Sequence, residues 1–195
     1  YRSGHSVSLS SDGKTVAIGA LTWPGAGERG HVSVHKWDGT TWDQLGANID
    51  GEASGDRSGH SVSLSSNGET VAIGAIYNDG NGHSTVDNAG HVRVYNWDGT
   101  TWDQLGGDID GYYSDDLSGY SVSLSSDGSR VAIGSIFHDD SAGHVRVYKL
   151  TNSAWVQLGG DIDGEAASDQ SGYSVSLSSD GSRVAIGAFT NDGTG

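Results

Sequence analysis

The chain has 195 residues, with 25 Asp and Glu against 10 Lys and Arg, and a net charge of −15. Such a surface repels phosphate backbones, which argues against nucleic acid as a partner, and it favours solubility. With no Cys there is neither a disulfide framework nor a thiolate metal site, and no apolar run approaches the roughly 18 residues of a membrane span.

The elements fall in a repeating order. Ser6-Val7-Ser8-Leu9-Ser10 alternates strictly and predicts a strand, and Ser-Asp-Gly then predicts a tight turn with Gly13 at positive φ. Thr15–Ala20 is the second strand. A loop follows, then a third strand at His31–His35. The run Trp37 to Trp42 encloses an Asp-Gly turn, and a fourth strand begins at Trp42. The same phrase returns from Ser58, Ser118 and Ser171, so that Gly4, Gly59, Gly119 and Gly172 stand 55, 60 and 53 residues apart. The loops Leu21–Arg29, Ile76–Ala89 and Ile136–Ala142 have 9, 14 and 7 residues, and removing them leaves 46 each time. One loop therefore absorbs all the length change, and the rest is the invariant frame of a stacked unit.

Four short antiparallel strands per unit, with no helical period, predict an all-β fold, a β-propeller built of four-stranded blades. The second strands support this over a two-sheet sandwich. Val16 and Ile18 face one way, Ala17 and Gly19 the other, and neither face is polar, so both should be covered by neighbours. The chain reads as one repeat array over 1–195, with repeats 1–56, 57–116 and 117–169 and a partial unit 170–195. That is about three and a half blades, fewer than the about four to eight of a propeller, so the array is expected to be part of a larger propeller or assembly.

The blocks "SGHSV", "VAIGA" and "GHVRVY" resemble those of the FG-GAP repeat found in integrin α-chain propellers and their microbial relatives. The resemblance covers essentially the whole chain. It implies a six- or seven-bladed propeller with an extracellular or cell-surface recognition or adhesion role. The chain departs from the pattern at Ser3, Ser58, Ser118 and Ser171, where the family has Phe, and at Leu21, Ile76, Ile136 and Phe189, where it has Pro. The family's calcium loop is replaced by "SSDG" or "SSNG", so that site does not carry over.

The candidates for ligand contact lie outside the frame. Trp23, Tyr77, Asn78, Asp79, Phe137, His138 and Asp139 occupy the variable loops, where packing does not require them, and are candidates for ligand contact. Asp108, Asp110, Asp161 and Asp163 could supply hard oxygens to calcium, or cap backbone N–H groups where one blade hands over to the next. Apart from this possible calcium, no cofactor is expected. His31, His91 and His144 share one frame position, and His5, His60, Tyr120 and Tyr173 another; both are expected to be structural. No catalytic constellation emerges. The expected role is a non-catalytic module whose partners are a protein or carbohydrate ligand. The alternatives are a self-assembling surface or filament protein that binds other copies of itself, and a propeller-type polysaccharide-degrading enzyme.

Overall fold

The computed structural model describes residues 2–21, 29–80 and 87–193. The first sheet comprises β1 (Arg2–Leu9), β2 (Thr15–Leu21), β3 (His31–Trp37), β4 (Trp42–Gln44) and β5 (Ile49–Asp50). The second comprises β6 (Ser58–Leu64), β7 (Thr70–Ala75), β8 (His91–Trp97), β9 (Trp102–Gln104) and β10 (Ile109–Asp110). The third comprises β11 (Ser121–Leu124), β12 (Arg130–Ser135), β13 (His144–Thr151), β14 (Ala154–Gln157) and β15 (Ile162–Asp163), and β16 (Ser171–Leu177) pairs with β17 (Val184–Ala188). All ladders within the sheets are antiparallel; the first four strands of each full blade pair in sequence order, and β5, β10 and β15 pair back to β3, β8 and β13. The fourth strand of each full blade comes in two pieces. Both β4 and β5 pair with β3, and between them the chain turns through Gly46, at φ +66. A Cβ there would lie 2.8 Å from the Trp97 ring of the next blade, so the break makes room for that blade.

The tight turns form as residue chemistry dictates. Gly13 takes φ +70, and Asp12 accepts from Lys14 N–H at 2.9 Å and from Ser10 Oγ at 2.7 Å. In the Trp-Asp-Gly turns, Asp38 accepts from the N–H of Thr40 and Thr41 at 2.6 and 2.8 Å, and Asp98 repeats this with Thr100 and Thr101. Hydrogen bonds to the charged form hold Asp12, Asp38, Asp98 and Asp127 below the usual carboxylate range, and Asp180 at about 2. Part of the acidity is thus built into turns.

The core lies between blades. Ala17, Val32, Val34 and Ile49 of the first blade pack against Leu64, Val71, Ile73 and Tyr95 of the second. Ala72, Val92, Val94 and Ile109 of the second meet Leu124, Val131, Ile133 and Tyr148 of the third. The small face of one blade thus receives the large face of the next, as expected for second strands covered on both sides. Contact is closest at the glycines. A Cβ on Gly19, Gly74 or Gly134 would sit 2.2, 2.2 or 2.1 Å from the carbonyl oxygen of Gly59, Gly119 or Gly172 in the following blade. Serines stitch the same seam. Ser6, Ser61 and Ser121 donate to those three carbonyls, each at 2.7 Å, and Ser8, Ser63 and Ser123 accept from Leu64, Leu124 and Leu177 N–H, each at 2.9 Å. The repeated Trp adds a third tie, since Trp102 Nε1–H donates to Leu45 O at 3.0 Å and Trp155 to Leu105 O at 2.7 Å.

Rings bridge the first strands. His5, His60, Tyr120 and Tyr173 follow one another with centroids 5.0, 4.9 and 5.1 Å apart. Tilted aromatic contacts of this kind stabilise by dispersion and quadrupole alignment. Burial, with help from the charges of His5 and Arg57, lowers His60 to about 4. The neutral ring is therefore the resident form near neutral pH.

Candidate functional site

The variable loops join the second and third strands of each blade, at the end opposite the Asp-Gly turns. They share that end with the segments that connect one blade to the next. A repeated clamp seats the described loops that follow β7, β12 and β17. Asp56 is 4% exposed and accepts from Ala53 N–H at 2.8 Å and from Asn78 Nδ2 at 3.0 Å, while its own carbonyl receives Tyr77 N–H. Asp169 does the same with Ala166 N–H and Asn191. The third blade departs from this pattern, with His138 in place of the Asn, its Nδ1 3.3 Å from Asp116 Oδ1. Burial raises the Asp116 carboxyl above its ordinary value, against the opposing pull of His138. Loops also reach the following connection: Asp115 N–H donates to Asp87 O, and Ser168 and Gln170 N–H donate to Asp140 and Ser141 O.

The loop candidates are placed unequally. Trp23 lies outside the described residues. Tyr77 is half-buried beneath the Arg57 guanidinium, 4.4 Å from its ring centroid. Asn78 is buried, with its amide on Asp56 and its side-chain oxygen accepting Gly80 N–H at 2.7 Å, so its polar atoms are engaged within the loop. Asp79 is exposed and accepts Asn88 N–H at 2.9 Å. Phe137 is 43% exposed and Asp139 is exposed, while His138 is half-buried. In the run 139–141 the backbone takes positive φ at Asp139, Asp140 and Ser141.

The structure brings further rings to this rim. Tyr112 and Tyr113, on the connection before the third blade, are 60% and 57% exposed. Tyr113 lies 5.1 Å from the His138 ring, and Tyr112 covers the Arg146 guanidinium at 4.3 Å. Both were within the acidic run Gly106 to Asp116, yet they differ from the Glu-Ala of the next copy at Glu165 and Ala166, and that local difference was the available signal.

The four acidic candidates take separate roles. Asp161 forms a two-pronged pair with Arg146, Nε–Oδ1 at 2.9 Å and Nη2–Oδ2 at 2.7 Å, and is held at about 2 first by that bond. Asp108 accepts from Gln104 Nε2 at 2.6 Å. Asp110 and Asp163 stand opposite His91 and His144 in their ladders. His91 and His144 are 1% and 0% exposed, and burial first, then the neighbouring Arg93 and Arg146, lowers them to about 4 and about 3. Arg93, whose counterpart Arg146 takes Asp161, instead donates to Asp50 O at 2.8 Å and lies 3.5 Å from Glu52.

Four-stranded wedges packed flank to flank, with their variable connections gathered at one end, define the chain as a β-propeller array of about three and a half blades. No protein-family model and no curated protein matches it. Among solved structures it is similar to TolB from Acinetobacter baumannii (13% identity, TM-score 0.51, 95% of this chain and 38% of that one). It is also similar to Sqt1 from Chaetomium thermophilum (16%, 0.62, 95% and 40%) and to the periplasmic gluconolactonase of Pseudomonas aeruginosa (14%, 0.54, 94% and 50%). These likenesses establish the propeller fold, and the chain spans half or less of each of these proteins.

Proposed function

We propose that the chain is a recognition module that binds a protein or carbohydrate ligand through its loop rim, outside the cytoplasm, without catalysing a reaction. One observation carries this reading: the segments that vary in length and the exposed rings Tyr112, Tyr113 and Phe137 meet on the same rim, over a frame repeated almost unchanged. Exposed rings held by a rigid scaffold offer contact area at low entropic cost. The resemblance of the repeat to the FG-GAP pattern supports an adhesive role at the cell surface. The periplasmic gluconolactonase among the similar structures supports a place beyond the inner membrane. The lactonase itself keeps an enzyme among the alternatives, distinguished by turnover rather than capture.

The test is capture on glycan and protein arrays by the native chain and by a Tyr113→Ala, Phe137→Ala double variant. Both rings are solvent-facing, so stability should change by no more than about 1 kcal/mol. Loss of the captured ligands with an unchanged melting temperature supports the reading; equal capture by both overturns it.

Self-association is a second reading, favoured by one flank of the array. Val7 and Leu9 are 65% and 57% exposed, whereas their counterparts Val62 and Leu64 lie in the first inter-blade core. Size in solution tests it: a Val7→Asp, Leu9→Asp variant should dissociate whatever the native chain forms, and a native monomer ends this reading.

A further inference from the structure

His144 poses a problem that the repeat does not solve. It is 0% exposed, and neither ring nitrogen has a hydrogen-bond partner. An imidazole always carries at least one N–H, and burying a polar group without a partner costs about 1–3 kcal/mol. A second ring faces it: His138 meets His144 edge-on with centroids 4.2 Å apart. Among the described residues, His138 alone breaks the Asn pattern of Asn78 and Asn191 at the loop base, and there this pairing of imidazoles occurs in the third blade alone. Asp163, the ladder partner of His144, completes a group in which one donor atom from each of His138, His144 and Asp163 lies within 4.8 Å of the others.

We infer that His138, His144 and Asp163 bind a divalent transition-metal ion, with zinc the best-fitting class. Two imidazoles and one carboxylate are borderline donors that suit zinc and poorly suit calcium or magnesium, which favour all-oxygen shells. Asp116 supplies the supporting contact. With His138 Nδ1 turned to Asp116 Oδ1 at 3.3 Å, Nε2 is the nitrogen available to an ion, the carboxylate–imidazole–metal arrangement that orients ligating histidines. Binding would draw the three donors, now within 4.8 Å of one another, to about 2.0–2.2 Å from the ion. Three protein ligands leave a further coordination position for water or a ligand donor, and the exposed Tyr113 ring lies 5.1 Å from that of His138. The second blade has a related group, Glu52, His91 and Asp108, but Glu52 lies 3.5 Å from Arg93 and Asp108 holds Gln104, so its carboxylates are already engaged. The inference stands independently of the recognition reading.

The probe is Co²⁺ alone, added to chelator-treated chain and followed by its visible ligand-field bands, with Zn²⁺ then added as competitor. The native chain should bind a single equivalent with bands typical of low coordination number, and Zn²⁺ should abolish them. His138→Asn installs the residue that the second and fourth blades carry, so the clamp to Asp116 survives and the fold should keep its melting temperature. It should weaken Co²⁺ binding by more than the about 10–100-fold typical of losing a supporting contact. Asp163→Asn should weaken it too, and Glu52→Gln should leave the spectrum unchanged. Absence of bands in the native chain at millimolar Co²⁺, native affinity in the His138→Asn variant, or loss of the bands on Glu52→Gln would each overturn the assignment.

Discussion

Replacing Gly74 by Ala tests the closeness of the blades directly. The added Cβ would lie 2.2 Å from the Gly119 carbonyl oxygen, where an ordinary carbon–oxygen contact needs about 3.3 Å. The obstacle is backbone, and that carbonyl also accepts Ser61 Oγ at 2.7 Å, so it cannot retreat by about 1 Å without loosening the seam. Overpacking of this kind costs about 1–3 kcal/mol, and the strained hydrogen bond adds about 1 kcal/mol. For a chain of this size the sum corresponds to a fall of about 5–15 °C in melting temperature. Gly187 is the built-in control. It holds the same frame position, but its Cβ would meet only the Ser174 side chain, with Oγ at 2.4 Å and nothing else nearer than 3.7 Å. That hydroxyl can rotate away, so Gly187→Ala should stay within about 1 kcal/mol of the native chain. Thermal and urea unfolding of both variants measures the difference. Equal stability of the two, or no loss at Gly74, would refute packing of blade against blade at these glycines.

Three further outcomes follow. His60 has a folded pKa of about 4 against an ordinary 6.5, so the unfolded chain binds the extra proton first; His60 contributes stability above pH 6.5 that is lost as pH falls towards 4. It faces His5, Arg57 and the Tyr120 ring, and His60→Tyr, which copies the third and fourth units, should remove that part of the acid loss in pH-dependent unfolding. Asp161→Asn leaves the 6%-exposed Arg146 side chain without its ionic partner and should cost about 1–3 kcal/mol in urea unfolding, with no loss marking the pair as surface decoration. Trp155→Phe removes the bond to Leu105 O and should cost about 1–2 kcal/mol, whereas Trp42→Phe, at a site 45% exposed, should cost under about 0.5 kcal/mol; equal losses in thermal melts would argue against the inter-blade tie.

The frame was legible because its causes are local and repeated. Alternation at Ser6 to Ser10, Asp-Gly turns and small residues in the second strands each state their structural reason in a few residues, and the sheets follow them. The break in the fourth strand was less visible, though the recurring Leu-Gly at Leu45-Gly46, Leu105-Gly106 and Leu158-Gly159 marks it. The Arg146–Asp161 pair had a faint internal signal: the first unit carries Ser33 and Asn48 at those two positions, so charge is missing from both at once. Some of the rim was not readable. Whether His138 meets His144 depends on positive φ values at Asp139, Asp140 and Ser141, which no hydrophobic period or turn motif announces. Asn78 looked like an available loop residue, but its role is set by Asp56, 22 positions earlier and brought near only by the fold.

The seam between blades uses the same serine and glycine partners each time: Ser6 with Gly59, Ser61 with Gly119, Ser121 with Gly172. Identical couplings make the units interchangeable parts. A gene coding for such a chain can gain or drop a unit by slipped recombination, and the new neighbours will still fit. Selection is then left to work on the rim, where each copy can diverge without renegotiating its place in the stack.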